Sequence, residues 1–207
     1  MQFTDRDWCL QELPEQVDSS WLLRLMKVWV EKEDLPFNMG VLATVDEHGF
    51  PRSRTVAIRE INEHGLLFFT QLGSAKVAHI SVNPYVSFTF MLPRTQRQVT
   101  VFGKVSPVSE QENLKNWETY DQERRLRFLV YGTKSGQLIN KQQDLDEELV
   151  ALKEQNKKDL PERPREYVGY RIIPELIKFY QLNEHRLSDS INAKRIHETW
   201  TLQRFVP

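Results

Sequence analysis

From Val41 onward the chain alternates apolar and polar positions with a period of two, interrupted by turn residues at short intervals. Val41, Ala43 and Val45 share one face, Asp46-Glu47-His48-Gly49 supplies a turn, and the chain returns through Arg52, Arg54, Val56 and Ile58. That pattern predicts a β-hairpin. After Gly65, the run Leu66-Leu67-Phe68-Phe69-Thr70 predicts a third strand. Gln71-Leu72-Gly73-Ser74 then leads into a short helix from Ala75 to Val82, with Ser74 as N-cap and Asn83-Pro84 as its end. Strand patterning returns in QRQVTVFGK, at Tyr167 to Ile173, and again at Leu176 to Gln181.

Other stretches carry a helical period. Between Ser20 and about Lys32, Trp21, Leu22, Leu25, Met26 and Trp29 form an apolar stripe, capped by Asp18 or Ser19 and followed by Pro36. Such a stripe predicts packing against the sheet or a second subunit. A longer helix is expected from Ser109 to about Val130, opened by the capping box Ser109-x-x-Glu112. By charge counting, its Arg124, Arg125 and Arg127 read as a solvated basic face paired with Glu118, Asp121 and Glu123. Gln142 to about Lys157 is highly charged without a wide apolar face, which predicts a peripheral helix ahead of Pro161 and Pro164.

Charge placement adds the first chemical hint. Arg54 and Arg59 lie on strand-forming sequence, where alternation would send them to opposite faces. One ligand meets both only if the strand bends, bulges or ends between them. Lys76 falls in the first turn of a helix, where the dipole disfavours a cation without a negative partner. These cations point to an anionic ligand held against the sheet.

Composition narrows the class. A chain of 207 residues with 40% hydrophobic content can bury one good core, with little room for two. A net charge of -1 argues against a large nucleic-acid footprint, and no apolar run approaches the roughly 18 residues of a membrane span. The first residues lack a secretory signal pattern, and Cys9 is the single cysteine, which fits a cytoplasmic protein. The five histidines have no ligand-like spacing, and no dinucleotide fingerprint, P-loop or nucleophile elbow is present. Gly132-Thr133-Lys134-Ser135 echoes only the end of a P-loop.

In order and spacing, LATVDEHGFPRSRTV, LFFTQLGSAK, NPYVSFTF, RQVTVFGKV, KSGQLI, GYRIIPELIKFYQLNEHRLSD and WTLQRFVP resemble the pyridoxamine 5′-phosphate oxidase family. The resemblance runs from about Val41 to Pro207. It implies a mainly β fold with peripheral helices (α+β): an antiparallel FMN-binding split β-barrel of Greek-key type. The expected layout is one domain over 1–207, with an N-terminal helical extension at 1–39 and a helical insertion at 109–160. It further implies FMN as cofactor and a homodimer with sites between protomers.

Position by position, the resemblance puts Arg54, Thr55, Val56, Arg59, Phe69 and Thr70 along the flavin site, Lys76 on its phosphate, and Gln98 at the polar edge of its ring. Lys134, Ser135 and Tyr180 complete that set, Ser135 from the partner subunit. Arg59 also stands where the family has a lysine for the substrate phosphate. Arg186 matches the arginine beside the substrate ring and is the residue expected to orient substrate for catalysis, with Ser188 where the family has histidine.

The departures concentrate on the substrate side. Ala75 and Ser190 replace basic residues near FMN, Lys134 a glutamine and Tyr180 a tryptophan. The family's tyrosine, arginine and serine for the vitamin phosphate align with Asn116, Tyr120 and Arg124. The implied activity is an FMN-dependent oxidoreductase that takes hydride from an anionic, ring-containing small molecule, held by Arg59, Arg124, Arg186 and Ser188, with oxygen as acceptor. Two alternatives stay open: a true pyridoxamine/pyridoxine 5′-phosphate oxidase, and a non-catalytic flavin- or ligand-binding dimer.

Overall fold

A computed structural model describes residues 14, 16–33, 38–132, 134–157, 159–183 and 187–207. In chain order the elements are β1 (Gln16–Val17), α1 (Ser19–Glu31), β2 (Asn38–Val45), β3 (Pro51–Ile58), β4 (Glu60–Asn62), β5 (Gly65–Gln71) and α2 (Ala75–Val82). They continue with β6 (Tyr85–Leu92), β7 (Arg97–Pro107), α3 (Glu110–Glu118), α4 (Gln122–Gly132), α5 (Gln142–Gln155), β8 (Tyr167–Gln181), β9 (Asp189–Ile196) and β10 (Thr199–Phe205).

The strands form one antiparallel sheet in the order β1-β10-β9-β8-β7-β6-β2-β3, with β5 attached to β8 and β4 to β5. The hairpin is as expected. Asp46 stabilises its turn by accepting from the His48 and Phe50 amides and from Arg52 Nε. Alternate side chains of the sheet bury Leu42, Phe68, Phe88, Phe90, Val99, Val101, Ile177 and Phe179. Each such burial is worth about 1.5–3 kcal/mol. Helix α1 adds Leu22, Leu25, Met26 and Trp29 to the same core, with the Asp18 carboxylate accepting from the Trp21 amide at 2.6 Å.

The sheet is not closed, and the break falls at Arg59. Strand β3 pairs with β2 and ends at Ile58, while β4 pairs with β5. Between them the Arg59 amide donates to the Leu67 carbonyl at 2.7 Å. This meets the condition set by the sequence: the strand ends between Arg54 and Arg59, so strict alternation no longer separates their side chains.

Two expectations need correction. The strand patterns at 167–173 and 176–181 are one 15-residue strand, β8, whose first half pairs with β5 and second half with β9. Pro174 lacks an amide proton for the ladder, and the strand passes it through a register shift opposite Phe102/Gly103. Gly103 is required there, because a Cβ would stand 2.1 Å from the Ile173 carbonyl oxygen.

The single helix expected from Ser109 to Val130 is two. The capping box forms, with the Glu112 amide donating to Ser109 Oγ and the Glu112 carboxylate accepting from the Ser109 amide. However, Asp121 accepts from the Arg124 amide at 2.7 Å and starts a new helix. Arg125, read from sequence as part of a solvated face, is only 7% exposed and donates to the carbonyls of Tyr120, Pro161 and Glu118. Those bonds hold the junction. Around it Trp117, Tyr120 and Tyr167 build a second aromatic cluster, with Phe69 and Phe128 packed against it. Helix α5 buries no residue, as its charge predicted.

Candidate functional site

Two clusters of cations flank β5. In the first, Arg54 projects from the inner side of β3 and donates to the Leu42 carbonyl at 3.2 Å and to Thr44 Oγ1 at 2.7 Å. Lys76, in the first turn of α2, donates to Thr70 Oγ1 at 2.8 Å. Among the described residues, neither cation is ion-paired with a carboxylate. Burial, and secondarily the charge of Arg54, push the Lys76 ammonium down to about 8. Burial also lowers Arg54. Ser74 occupies the N-cap position, but its hydroxyl caps no amide and lies 3.5 Å from Thr70 Oγ1. Two half-buried cations beside a helix start without a side-chain cap form a niche for an anion.

The opposite, outer face of the sheet carries further expected residues. Register places Thr55 beside Val41, then Thr89, Thr100 and Lys178 on successive strands. Gln98 Nε2 donates to Thr100 Oγ1 at 3.1 Å, and Gln98 stands beside Tyr180, which pairs with Ser190. Val56 points into the core, so only its backbone can line a site.

The second cluster is aromatic. Arg59 and Arg124 lie over the Tyr120 ring, at 5.4 and 4.9 Å from its centroid. The Tyr167 hydroxyl donates to Asn116 Oδ1 at 2.6 Å, and its ring stacks on Phe69 with centroids 5.0 Å apart. Burial pushes the Tyr167 phenol far up, Tyr120 adds to this, and Arg59 and Arg124 pull the other way. Beside Arg59 and Asn116 opens a cavity of about 460 Å³, lined also by Leu67, His64, Lys115 and Arg171. Arg171 is balanced by Glu60 and Glu112. Arg59 has no carboxylate partner among the described residues.

The remaining expected residues lie apart from these clusters. Lys134 is ion-paired with Glu148 of α5, Ser135 follows in the turn after α4, and Ser188 precedes β9. No hydrogen bond or ion pair among the described residues links them to either cluster. Arg186 lies outside the described residues. The sequence reading missed Thr44 and His79, whose Nδ1 stands 2.9 Å from Thr44 Oγ1. A polar residue in phase with buried Leu42 was the available signal for Thr44.

Residues 32–153 match the family model described as pyridoxamine 5′-phosphate oxidase, and residues 167–207 match that of the pyridoxine 5′-phosphate oxidase C-terminal dimerisation region. The pyridoxine/pyridoxamine 5′-phosphate oxidase of Pseudomonas syringae pv. tomato is 33% identical over 211 residues, covering 98% of this chain and 96% of its own. That of Pseudomonas fluorescens Pf0-1 is 32% identical over 189 residues, covering 90% and 85%. Among solved structures, PhzG from Burkholderia lata 383, in complex with tetrahydrophenazine-1-carboxylic acid, superposes with a TM-score of 0.80 at 23% identity, covering 100% of this chain and 98% of its own. A pyridoxamine 5′-phosphate oxidase-related, FMN binding protein from Nostoc punctiforme PCC 73102 gives 0.73 at 18% identity, covering 89% and 96%. The two low-identity superpositions establish the split-barrel fold, and the family model and curated relatives establish descent: the chain belongs to the pyridoxamine 5′-phosphate oxidase family.

Proposed function

We propose that this chain is an FMN-dependent oxidase of an anionic, ring-bearing small molecule, working as a homodimer. The observation that carries the reading is the Arg54–Lys76 niche, two half-buried cations held by separate hydroxyls and, for Arg54, a carbonyl, with no counter-carboxylate among the described residues. The donor set fits a phosphate dianion, whose charge would offset the burial and, secondarily, the Arg54 repulsion that lower Lys76. Thr55, Phe69, Gln98 and Tyr180 would line the ring, with the Val56 backbone. Lys134 and Ser135 would reach it from the second subunit, after Lys134 exchanges its Glu148 partner. When bound, FMN would supply a hydride acceptor and a route for the electrons to oxygen.

The chain's own work is positioning. Arg59 and Arg124 would hold the substrate's negative group, Arg186 would orient its ring and Ser188 would border it. No strong protein base is needed when hydride leaves for the flavin. The outer face that carries Thr55 and Gln98 also exposes Met39, Val41, Tyr85 and Met91, an apolar surface that a second copy would cover.

The substrate can be divided into two readings. Replacement of the family's phosphate donors by Asn116, Tyr120 and Arg124 favours an anion other than the vitamin phosphate. The gathering of Arg59 and Arg124 on one ring favours pyridoxamine or pyridoxine 5′-phosphate itself, held by guanidiniums. The purified protein should be yellow and release FMN on denaturation; a chain that takes up no FMN overturns both readings. Peroxide formation with pyridoxamine 5′-phosphate at about 1 per second, an ordinary enzymatic rate, selects the second. Flavin reduction by another ring-bearing anion, without turnover of the vitamin phosphate, selects the first.

A further inference from the structure

We infer that Thr44 and His79 form a positioning relay that aims Arg54 at the cofactor phosphate, an inference that rests on the FMN reading above. Thr44 is 1% exposed, near the turn end of β2, and shares the buried face of that strand with Leu42. That hydroxyl nevertheless has two charged or polar neighbours: Arg54 Nη1 donates to it at 2.7 Å, and His79 Nδ1 lies at 2.9 Å. A hydroxyl has one proton and two lone pairs. With one lone pair taken by Arg54, the proton goes to His79 Nδ1 in the neutral tautomer that carries its own proton on Nε2, and in that tautomer the chain of donors runs Arg54 to Thr44 to His79.

The relay joins three elements that the niche depends on. Arg54 comes from β3, Thr44 from the neighbouring β2, and His79 from α2, the helix whose first turn carries Lys76. Arg54 also donates to the Leu42 carbonyl, so the guanidinium is fixed at two points on β2. Without them, a long side chain repelled by Lys76 would gain by swinging away from it, and the phosphate would have to recover that ordering on binding. In this relay Thr44 and His79 act through Arg54 and not by holding the ligand themselves.

The test separates this role from general support of the barrel by using two ligands. FMN and riboflavin share the ring, and riboflavin lacks the phosphate. Their dissociation constants are measured by fluorescence quenching on the apo-protein and on Thr44→Val, Thr44→Ser, His79→Ala and His79→Asn. The relay predicts that Thr44→Val weakens FMN about tenfold, the effect of one charge-assisted hydrogen bond, and leaves riboflavin within twofold. Thr44→Ser should retain wild-type FMN affinity. His79→Ala should weaken FMN by a few-fold, and His79→Asn, whose carboxamide oxygen can replace Nδ1 as acceptor, should restore it. If Thr44→Val does not fold, the half-exposed His79 pair carries the same test. Equal losses for both ligands, or no loss for FMN, overturn the relay while the cofactor reading stands. Failure of the wild-type chain to bind FMN overturns the cofactor reading and the relay with it.

Discussion

The two cation clusters on either side of β5 are built by opposite means. Around Arg54 and Lys76 the partners are hydroxyls and a carbonyl, and the charge is left uncompensated. Around Arg59 and Arg124 the partner is the face of Tyr120, in a cluster closed by Trp117, Tyr167 and Phe128. The first arrangement is held by strand and helix backbone and gains most from a ligand that brings negative charge. The second depends on a helix break for its shape. Cofactor affinity and substrate recognition should therefore fail separately, and the ways to break each one differ.

The largest effect is expected from emptying the first cluster. Arg54→Ala combined with Lys76→Ala removes two charge-assisted contacts, each worth about 1.5–3 kcal/mol. FMN affinity, measured by dialysis and absorbance, should fall by roughly 3–6 kcal/mol, with the melting temperature of the apo-protein held or raised. Unchanged flavin retention would contradict the placement of the phosphate. Next comes Arg125→Ala, which strikes the second cluster through its scaffold. Its three carbonyl partners lose a buried donor, so unfolding stability should drop by about 3 kcal/mol in denaturant titrations. Substrate KM should rise, and FMN affinity should stay close to wild type.

The same contrast explains what was legible in the sequence. The hairpin, β5, α2 and the position of Lys76 follow from local rules, namely alternation and turn residues, with Ser74 at the N-cap position although its hydroxyl caps no amide. The two cations of the niche, Arg54 and Lys76, were therefore readable, whereas the Thr44 hydroxyl that holds Arg54 was not. The junction between α3 and α4 was not, because Ser109 to Val130 has no glycine or proline to mark a stop. Two things end α3: a local one, the Asp121 cap on the Arg124 amide, which the sequence reading passed over, and a tertiary one, the reach of Arg125 to carbonyls that include Pro161, 36 residues away. Counting charges placed Arg125 in water for the same reason. Pro174 misled in the opposite direction, since a proline usually ends a strand and here the bulge at Gly103 absorbs it. His79 could not be read at all, because its partner Thr44 lies 35 residues away.

A smaller effect distinguishes the two guanidiniums of the second cluster. Arg59→Ala and Arg124→Ala should each lower kcat/KM by about 1.5–2 kcal/mol if both meet the substrate's negative group. Tyr120→Phe keeps the ring face and should cost little, whereas Tyr120→Leu removes the cation–π surface and should weaken substrate binding by about 1 kcal/mol. If either arginine can be lost without change in steady-state kinetics, that residue serves packing on Tyr120 and not the substrate.

The smallest effect is a pH dependence that belongs to the first cluster alone. Lys76 in the apo-protein releases its proton near pH 8, whereas an ordinary lysine, as in the unfolded chain, holds it to 10.5. Between those values the unfolded chain binds more protons, so stability of the apo-protein should rise as pH increases from about 8 to 10. A bound phosphate reverses the preference, because it favours the charged ammonium. FMN affinity should then be flat between about pH 7 and 8, where the phosphate is a dianion, and weaken above that range by at most about tenfold per pH unit. Titrations of FMN at pH 7, 8 and 9 on wild type and Lys76→Arg would measure it: the arginine variant carries a group that does not deprotonate in this range, so its profile should lose the slope. An identical slope in both proteins would mean that the proton comes from elsewhere and that Lys76 does not face the phosphate. Substrate binding to the FMN-loaded enzyme, resting on two guanidiniums, should lack this slope in either protein.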